Sequence, residues 1–165
     1  MKKLFVLAAL TVASFAVNAQ SPVKLSLGVD GQLPIGDFSD IYSFGIGGSL
    51  QADYNVDPEL ALTLSAGYLN FSGKTVNNFK YPSFGMVPVL AGIKYYFAPQ
   101  VYGSAQLGLS FGTDKGDGSN FTYAPGIGYK FSNNVDALLK YTGMSVKGSS
   151  NSSFNTIGLR LAYTF

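Results

Sequence analysis

Charged residues recur at alternating positions through short segments of the chain: Lys24, Asp30, Asp53, Glu59, Lys94, Lys130, Asp136, Lys140 and Arg160. Carboxylates, amines and a guanidinium brought together can line a polar path for ions, or can simply fill an interior and satisfy one another there. Other reactive types are missing. Without Cys there is no disulfide, no thiolate metal site, no thiol nucleophile and no acceptor for a lipid anchor behind a leader. Without His, Ser–His hydrolysis, imidazole metal sites and imidazole acid–base catalysis drop out. Only carboxylate, Lys, Tyr or Ser–Lys chemistry is left, and no constellation of those groups stands out, so no catalytic, cofactor or metal residue is assigned. The run Thr113-Asp114-Lys115-Gly116-Asp117-Gly118 has two carboxylates among glycines. It offers too few oxygens at fixed spacing for a calcium loop and reads as a polar turn.

Such residues need elements to hold them, and composition limits which elements. Of the 165 residues, 12% are charged, against 47% hydrophobic and 15% aromatic. A soluble domain carries about 25% charged residues, so this chain lacks the means to coat itself for water. The net charge of +2 has no basic stripe behind it, which excludes nucleic acid as a partner.

Residues 1–19 have the layout of a secretory signal peptide. Lys2 and Lys3 precede an apolar run over 4–17, and small side chains around Asn18-Ala19 suit cleavage. The run is too short for a membrane-spanning helix, which needs about 18–20 residues. The expected mature domain is 20–165.

Beyond Ala19 the pattern has period two throughout. Val23, Leu25, Leu27 and Val29 alternate with polar or small residues; Phe44, Ile46, Leu50 and Tyr54 do the same, then Leu60, Leu62, Leu64 and Tyr68. Five further segments follow, led by Val87, Val101, Phe121, Val135 and Ile157. That periodicity predicts eight strands. Their connections alternate between tight turns (55–58, 98–100, 132–134) and longer polar ones (33–42, 70–83, 112–120, 143–153). Strands joined this way are antiparallel neighbours, and eight of them close into an up-and-down barrel with no free edge. Pro88 and Pro125 fall inside strands, where a bulge or a strand end is expected. Gly45, Gly47 and Gly48 suggest a bulge or close backbone approach. After Tyr141 the alternation loses phase at Met144.

Composition also decides which face is inside. The set running from Val23 to Phe165 holds no charge, while the alternate set is dominated by Gly, Ala, Ser and Thr, with the charged residues named above. Small residues suit the crowded interior of a narrow barrel, so the apolar set faces lipid and the charges, Glu59 included, face the lumen. Aromatics cluster in two girdles, as amphipathic rings do at membrane interfaces. Tyr54, Tyr95, Phe97, Tyr129, Phe131, Tyr163 and Phe165 mark the short-turn end; Tyr42, Phe44, Tyr68, Phe71, Phe84, Phe111, Phe121 and Tyr141 mark the long-loop end.

With this pattern the chain resembles the small eight-stranded outer-membrane β-barrels, the OmpX-like and OmpA transmembrane-domain-like proteins with an outer membrane protein beta-barrel domain. The most specific element is the final strand, Ile157, Leu159, Leu161, Tyr163 and Phe165. In that family such an ending is the signal read by the barrel-assembly machinery. The resemblance implies an all-β transmembrane barrel in the outer membrane, a monomer surrounded by lipid and lipopolysaccharide and handled by periplasmic chaperones. It implies a structural or interaction role without enzymatic activity or cofactor, since the family's lipid-modifying and proteolytic members use a catalytic His. A narrow channel for ions or small polar solutes is the alternative.

Overall fold

The computed structural model describes residues 23–76, 78–113, 118–145 and 153–165. Eight long strands of 11–14 residues form the wall: β1 (Val23–Ile35), β2 (Tyr42–Asn55), β3 (Leu60–Gly73), β6 (Phe84–Tyr96), β7 (Val101–Gly112), β8 (Ser119–Lys130), β9 (Val135–Ser145) and β10 (Ser153–Thr164). Two short ones, β4 (Thr75–Val76) and β5 (Phe79–Lys80), make a small hairpin on the connection between β3 and β6. A single helical turn, Phe38–Ile41, joins β1 to β2. The wall closes in the order β1-β10-β9-β8-β7-β6-β3-β2. Every neighbouring pair is antiparallel, and the closing seam pairs Ser26 with Thr164 through to Ile35 with Asn155.

Alternation sorts the side chains across this wall. On β1, Leu27, Val29 and Leu33 stand exposed while Ser26, Asp30 and Gln32 between them are buried. The outward set is apolar on all eight strands, as lipid outside requires, while the inward set is mostly polar or small, with Leu90 and Leu138 among its apolar members. β1 continues to Ile35 and β3 to Gly73, so the wall extends into segments expected to be loop.

Neither proline makes a bulge or ends a strand. Pro88 and Pro125 lie within β6 and β8, and the register on both sides of each is unchanged. One ladder at each site skips two positions, between β3 and β6 at Pro88 and between β8 and β9 at Pro125. A missing N–H removes one hydrogen bond without adding a residue, so the strand keeps its length and phase. The bulge lies instead on β2, between Tyr42 and Gly45. Beyond it Tyr42 packs inward against the core instead of joining a girdle.

All seven aromatics assigned to the turn-end girdle are exposed on the outer wall. Three strands end there in the same motif. Tyr95 with Phe97, Tyr129 with Phe131 and Tyr163 with Phe165 each place their ring centroids 5.3 Å apart, edge to face. At the loop end the expected girdle is only partly outside. Phe44, Tyr68, Phe111 and Phe121 are exposed, but Phe71 is fully buried and Phe84 packs beside it. Met144 keeps the phase of β9 and also points inward. The interior itself becomes apolar at this end, so polarity there no longer reports which face a residue is on. The leader at 1–19 and the centre of the Thr113–Gly118 run lie outside the described residues.

Candidate functional site: the barrel interior

The interior is layered along the barrel axis. At the turn end a vestibule of about 690 Å³ opens between the turns that follow β2 and β6, lined by Lys24, Asp57, Glu59, Tyr96 and Lys130 among others. Lys24 is exposed at this mouth, and Lys130 lies over the Tyr96 ring, 5.5 Å from its centroid. Beneath it the space narrows to a void of about 20 Å³ between Asp53, Lys94, Tyr102 and Asp136. That is room for about one water molecule.

Two charge clusters come next. In the first, Lys94 Nζ pairs with Asp53 Oδ2 at 2.7 Å, and Gln51 Nε2 donates to the other carboxylate oxygen, also at 2.7 Å. The same ammonium lies 4.8 Å from the centroid of the Tyr102 ring, whose hydroxyl donates to Asp136. In the second, Lys140 Nζ pairs with Asp30 Oδ1 at 2.6 Å, and Ser49 Oγ donates to Oδ2 at 2.5 Å. Ser49 in turn accepts Arg160 Nε at 2.8 Å, and the guanidinium also reaches Ser26 Oγ at 3.1 Å. Ser49 therefore bridges a guanidinium and a carboxylate that do not touch. Glycines opposite make room for the largest of these side chains: a Cβ on Gly128 would overlap the Tyr102 ring, and one on Gly28 would meet the Arg160 guanidinium.

Beside these clusters Gln106 donates to Thr63, the β3 neighbour of Asp53, at 3.1 Å. Further toward the loops the pairs are neutral: Thr156 donates to Gln32 at 2.7 Å and Thr122 to Ser110 at 2.7 Å. The loop end is shut by an apolar plug of Leu69, Phe71, Met86, Met144 and Phe154. Phe38, from the helical turn, lies on Phe154 with centroids 4.6 Å apart, and Phe71 meets Phe154 at 5.0 Å.

A closed barrel of eight antiparallel strands, apolar outside and polar at its centre, is the architecture of small outer-membrane proteins. The outer membrane protein beta-barrel domain matches residues 4–165. The chain belongs to that family. This outer-membrane barrel is similar in fold to Ail from Yersinia pestis (17% identity over 87% of this chain and 97% of that one, TM-score 0.59). It is also similar to the N-terminal barrel domain of OprF from Pseudomonas aeruginosa (15% identity, 88% and 98%, TM-score 0.57). Neisserial surface protein A matches at 13% identity, 88% and 98%, with a TM-score of 0.51. No curated protein matches it in sequence. The family places the protein in the bacterial outer membrane.

Of the charged residues read from the sequence of this outer-membrane barrel, Asp30, Asp53, Lys94, Asp136 and Arg160 are buried inside it and Lys140 is half-buried among them. Lys24 and Lys130 stand at the mouth. Glu59 does not point into the lumen: it is exposed in the turn before β3 and accepts the hydroxyl of Tyr95, a girdle residue, at 3.1 Å. It belongs to the rim, because it precedes the strand whose alternation would have turned it inward. Sequence reasoning missed Ser26, Ser49, Gln51 and Tyr102 as members of the network. Ser26, Ser49 and Gln51 share the phase of an inward charge on their own strands, and Tyr102 shares that of Ser104 and Gln106 on a strand without charge; phase was the available signal. It also missed the plug, since Phe71, Met86 and Phe154 carry no polar mark.

Proposed function

We propose that this outer-membrane protein is a monomeric, non-enzymatic and non-conducting barrel with a structural or interaction role. Its interior is filler, and its working surfaces are the lipid belt and the long connections facing outside the cell. The observation behind this reading is an interior filled below the mouth by bonded charged side chains, with a void of about 20 Å³ among them, and a packed apolar plug at the loop end. A small-solute channel needs a continuous wet path, and polar side chains bonded to one another inside the wall take up the space for one.

On this reading residues 1–19 are a cleaved signal peptide, and the short turns face the periplasm. Ile157, Leu159, Leu161, Tyr163 and Phe165 form the segment that the assembly machinery and its chaperones read. All five are exposed on the outer wall, which is consistent with a role in assembly. Lipid and lipopolysaccharide are the expected surroundings. Two measurements test the reading. The purified protein is expected to migrate differently on gels with and without boiling, as a closed barrel does, and to give no conductance steps in planar bilayers. Steady single-channel currents from the folded monomer would establish the channel in its place.

A further inference from the structure

Among the described residues, the lipid-facing wall has a marked depression beside β1. On β1 the outward sequence Val29, Gly31, Leu33 places a glycine where the neighbouring positions carry bulky side chains. Gly31 pairs with Ile46 of β2 on one side and with Leu159 of β10 on the other, both exposed on the same face. The missing side chain opens a groove of about 420 Å³ between these strands, with Phe44 as its overhanging edge. A Cβ on Gly31 would lie 3.1 Å from the tip of the Phe44 ring, so the ring leans over the glycine floor.

Position and chemistry decide what fills it. β1 runs from the turn end at Val23 to the loop end at Ile35, so the Gly31 floor and the Phe44 edge lie in the long-loop half of the belt, with Leu139 and Leu161 continuing the lining toward the middle of the wall. Residues 29–33 cover about 13 Å of strand at about 3.3 Å per residue. At a strand tilt of about 35–45° that is about 10 Å along the membrane normal, within the reach of one leaflet of a hydrocarbon core about 30 Å thick. Its outward lining is hydrocarbon, continuous with the exposed apolar belt on either side. Water gains nothing there, and an empty groove forfeits contacts on every wall. An alkyl chain laid in it meets side chains on both flanks, whereas one beside a convex part of the wall meets them on one side only.

We propose that the Gly31 groove is a preferred seat for a single acyl chain of a membrane lipid in the leaflet on the long-loop side. The proposal rests on the reading of the protein as a lipid-embedded monomer. It is tested with the folded barrel, methyl-labelled, in nanodiscs of dimyristoylphosphatidylcholine. Nuclear Overhauser cross-peaks from acyl methylenes to Ile46 and Leu159 are expected to be several-fold stronger than those to Leu107 and Ile127, which are exposed elsewhere on the wall. Gly31→Leu should bring the groove signals down to the level of Leu107 and leave Leu107 unchanged. Phe44→Ala, which removes the overhang without crowding the floor, should lower them in the same direction and covers the case of a Gly31 variant that fails to fold. Equal signals at all four residues in the unmodified barrel would overturn the proposal. So would cross-peaks between differently labelled copies across the groove, which would make the occupant a second barrel. A failure of the membrane reading looks different, because acyl cross-peaks would then be absent at Leu107 and Ile127 as well.

Discussion

Lys94 and Asp53 illustrate how a charge survives inside this barrel. Both are nearly sealed from solvent, so each ion has lost most of its hydration, and their contact at 2.7 Å must offset that loss. Gln51 and the face of Tyr102 supply the remaining contacts. Removing one partner is therefore worse than removing both. Lys94→Met leaves Asp53 buried with its ion pair gone and Gln51 as its hydrogen-bond donor, and is expected to cost about 3–5 kcal/mol. Lys94→Met with Asp53→Leu should recover most of that. Urea unfolding of the refolded barrel in lipid vesicles measures both, and a single-variant cost below about 1 kcal/mol would mean that water reaches the pair from the mouth. The charged members of this site were legible because alternation put them in phase on faces that otherwise carry no charge outside. Tyr102 and Ser49 were not, since a tyrosine or serine is at home on either face and only its partner reveals its role. Glu59 misled because a residue one step before a strand has the strand's parity without its geometry.

At the level of elements, strand number, order and closure followed from period two and from the alternation of short and long connections, and the structure has them. The parts that were not legible share one cause. Parity reports a side only while the two sides differ in polarity, and near the long loops they do not. Phe71, Phe84 and Met144 are apolar yet inward, and the bulge between Tyr42 and Gly45 inverts the parity of Tyr42. Proline misled in the opposite direction, because a lost donor was read as a lost register. The cost of Pro125 is one hydrogen bond to β9, with the pairing intact on either side. Pro125→Ala is expected to supply that bond: its new amide should be protected in hydrogen exchange, while the pairings Tyr123–Gly143 and Ile127–Leu139 persist. An unprotected amide at 125, or a shift of those pairings by a residue, would show that the proline imposes a local geometry beyond its missing donor. The Tyr-x-Phe endings of β6, β8 and β10 extend the same view, since the segment proposed as an assembly signal shares its ring geometry with two internal strand ends.

For the whole molecule, closure is a property of barriers in series. The lumen is filled near the turn end by Tyr102 with Asp136 and Lys94 with Asp53, at mid-height by Arg160 with Ser49, and at the loop end by Phe71 with Phe154. A conducting path needs all of these to part at once, so thinning one layer leaves the others in place. Phe71→Ala with Phe154→Ala removes two rings from the plug and is expected to lower stability, by about 3–5 kcal/mol per ring where the cavity cannot collapse, without opening a current. Tyr102→Ala alone should behave in the same way, since the Lys94–Asp53 pair and the guanidinium still occupy the lumen. Even the three substitutions together are expected to give no discrete openings in planar bilayers, because the Lys94–Asp53 pair and Arg160 remain in the lumen, each variant having first been shown to fold by its shift on unboiled gels. Current from the plug variant alone would show that the charged layers are wet enough to pass ions. In that case the aromatic cluster, and not the polar interior, would be what keeps this barrel closed.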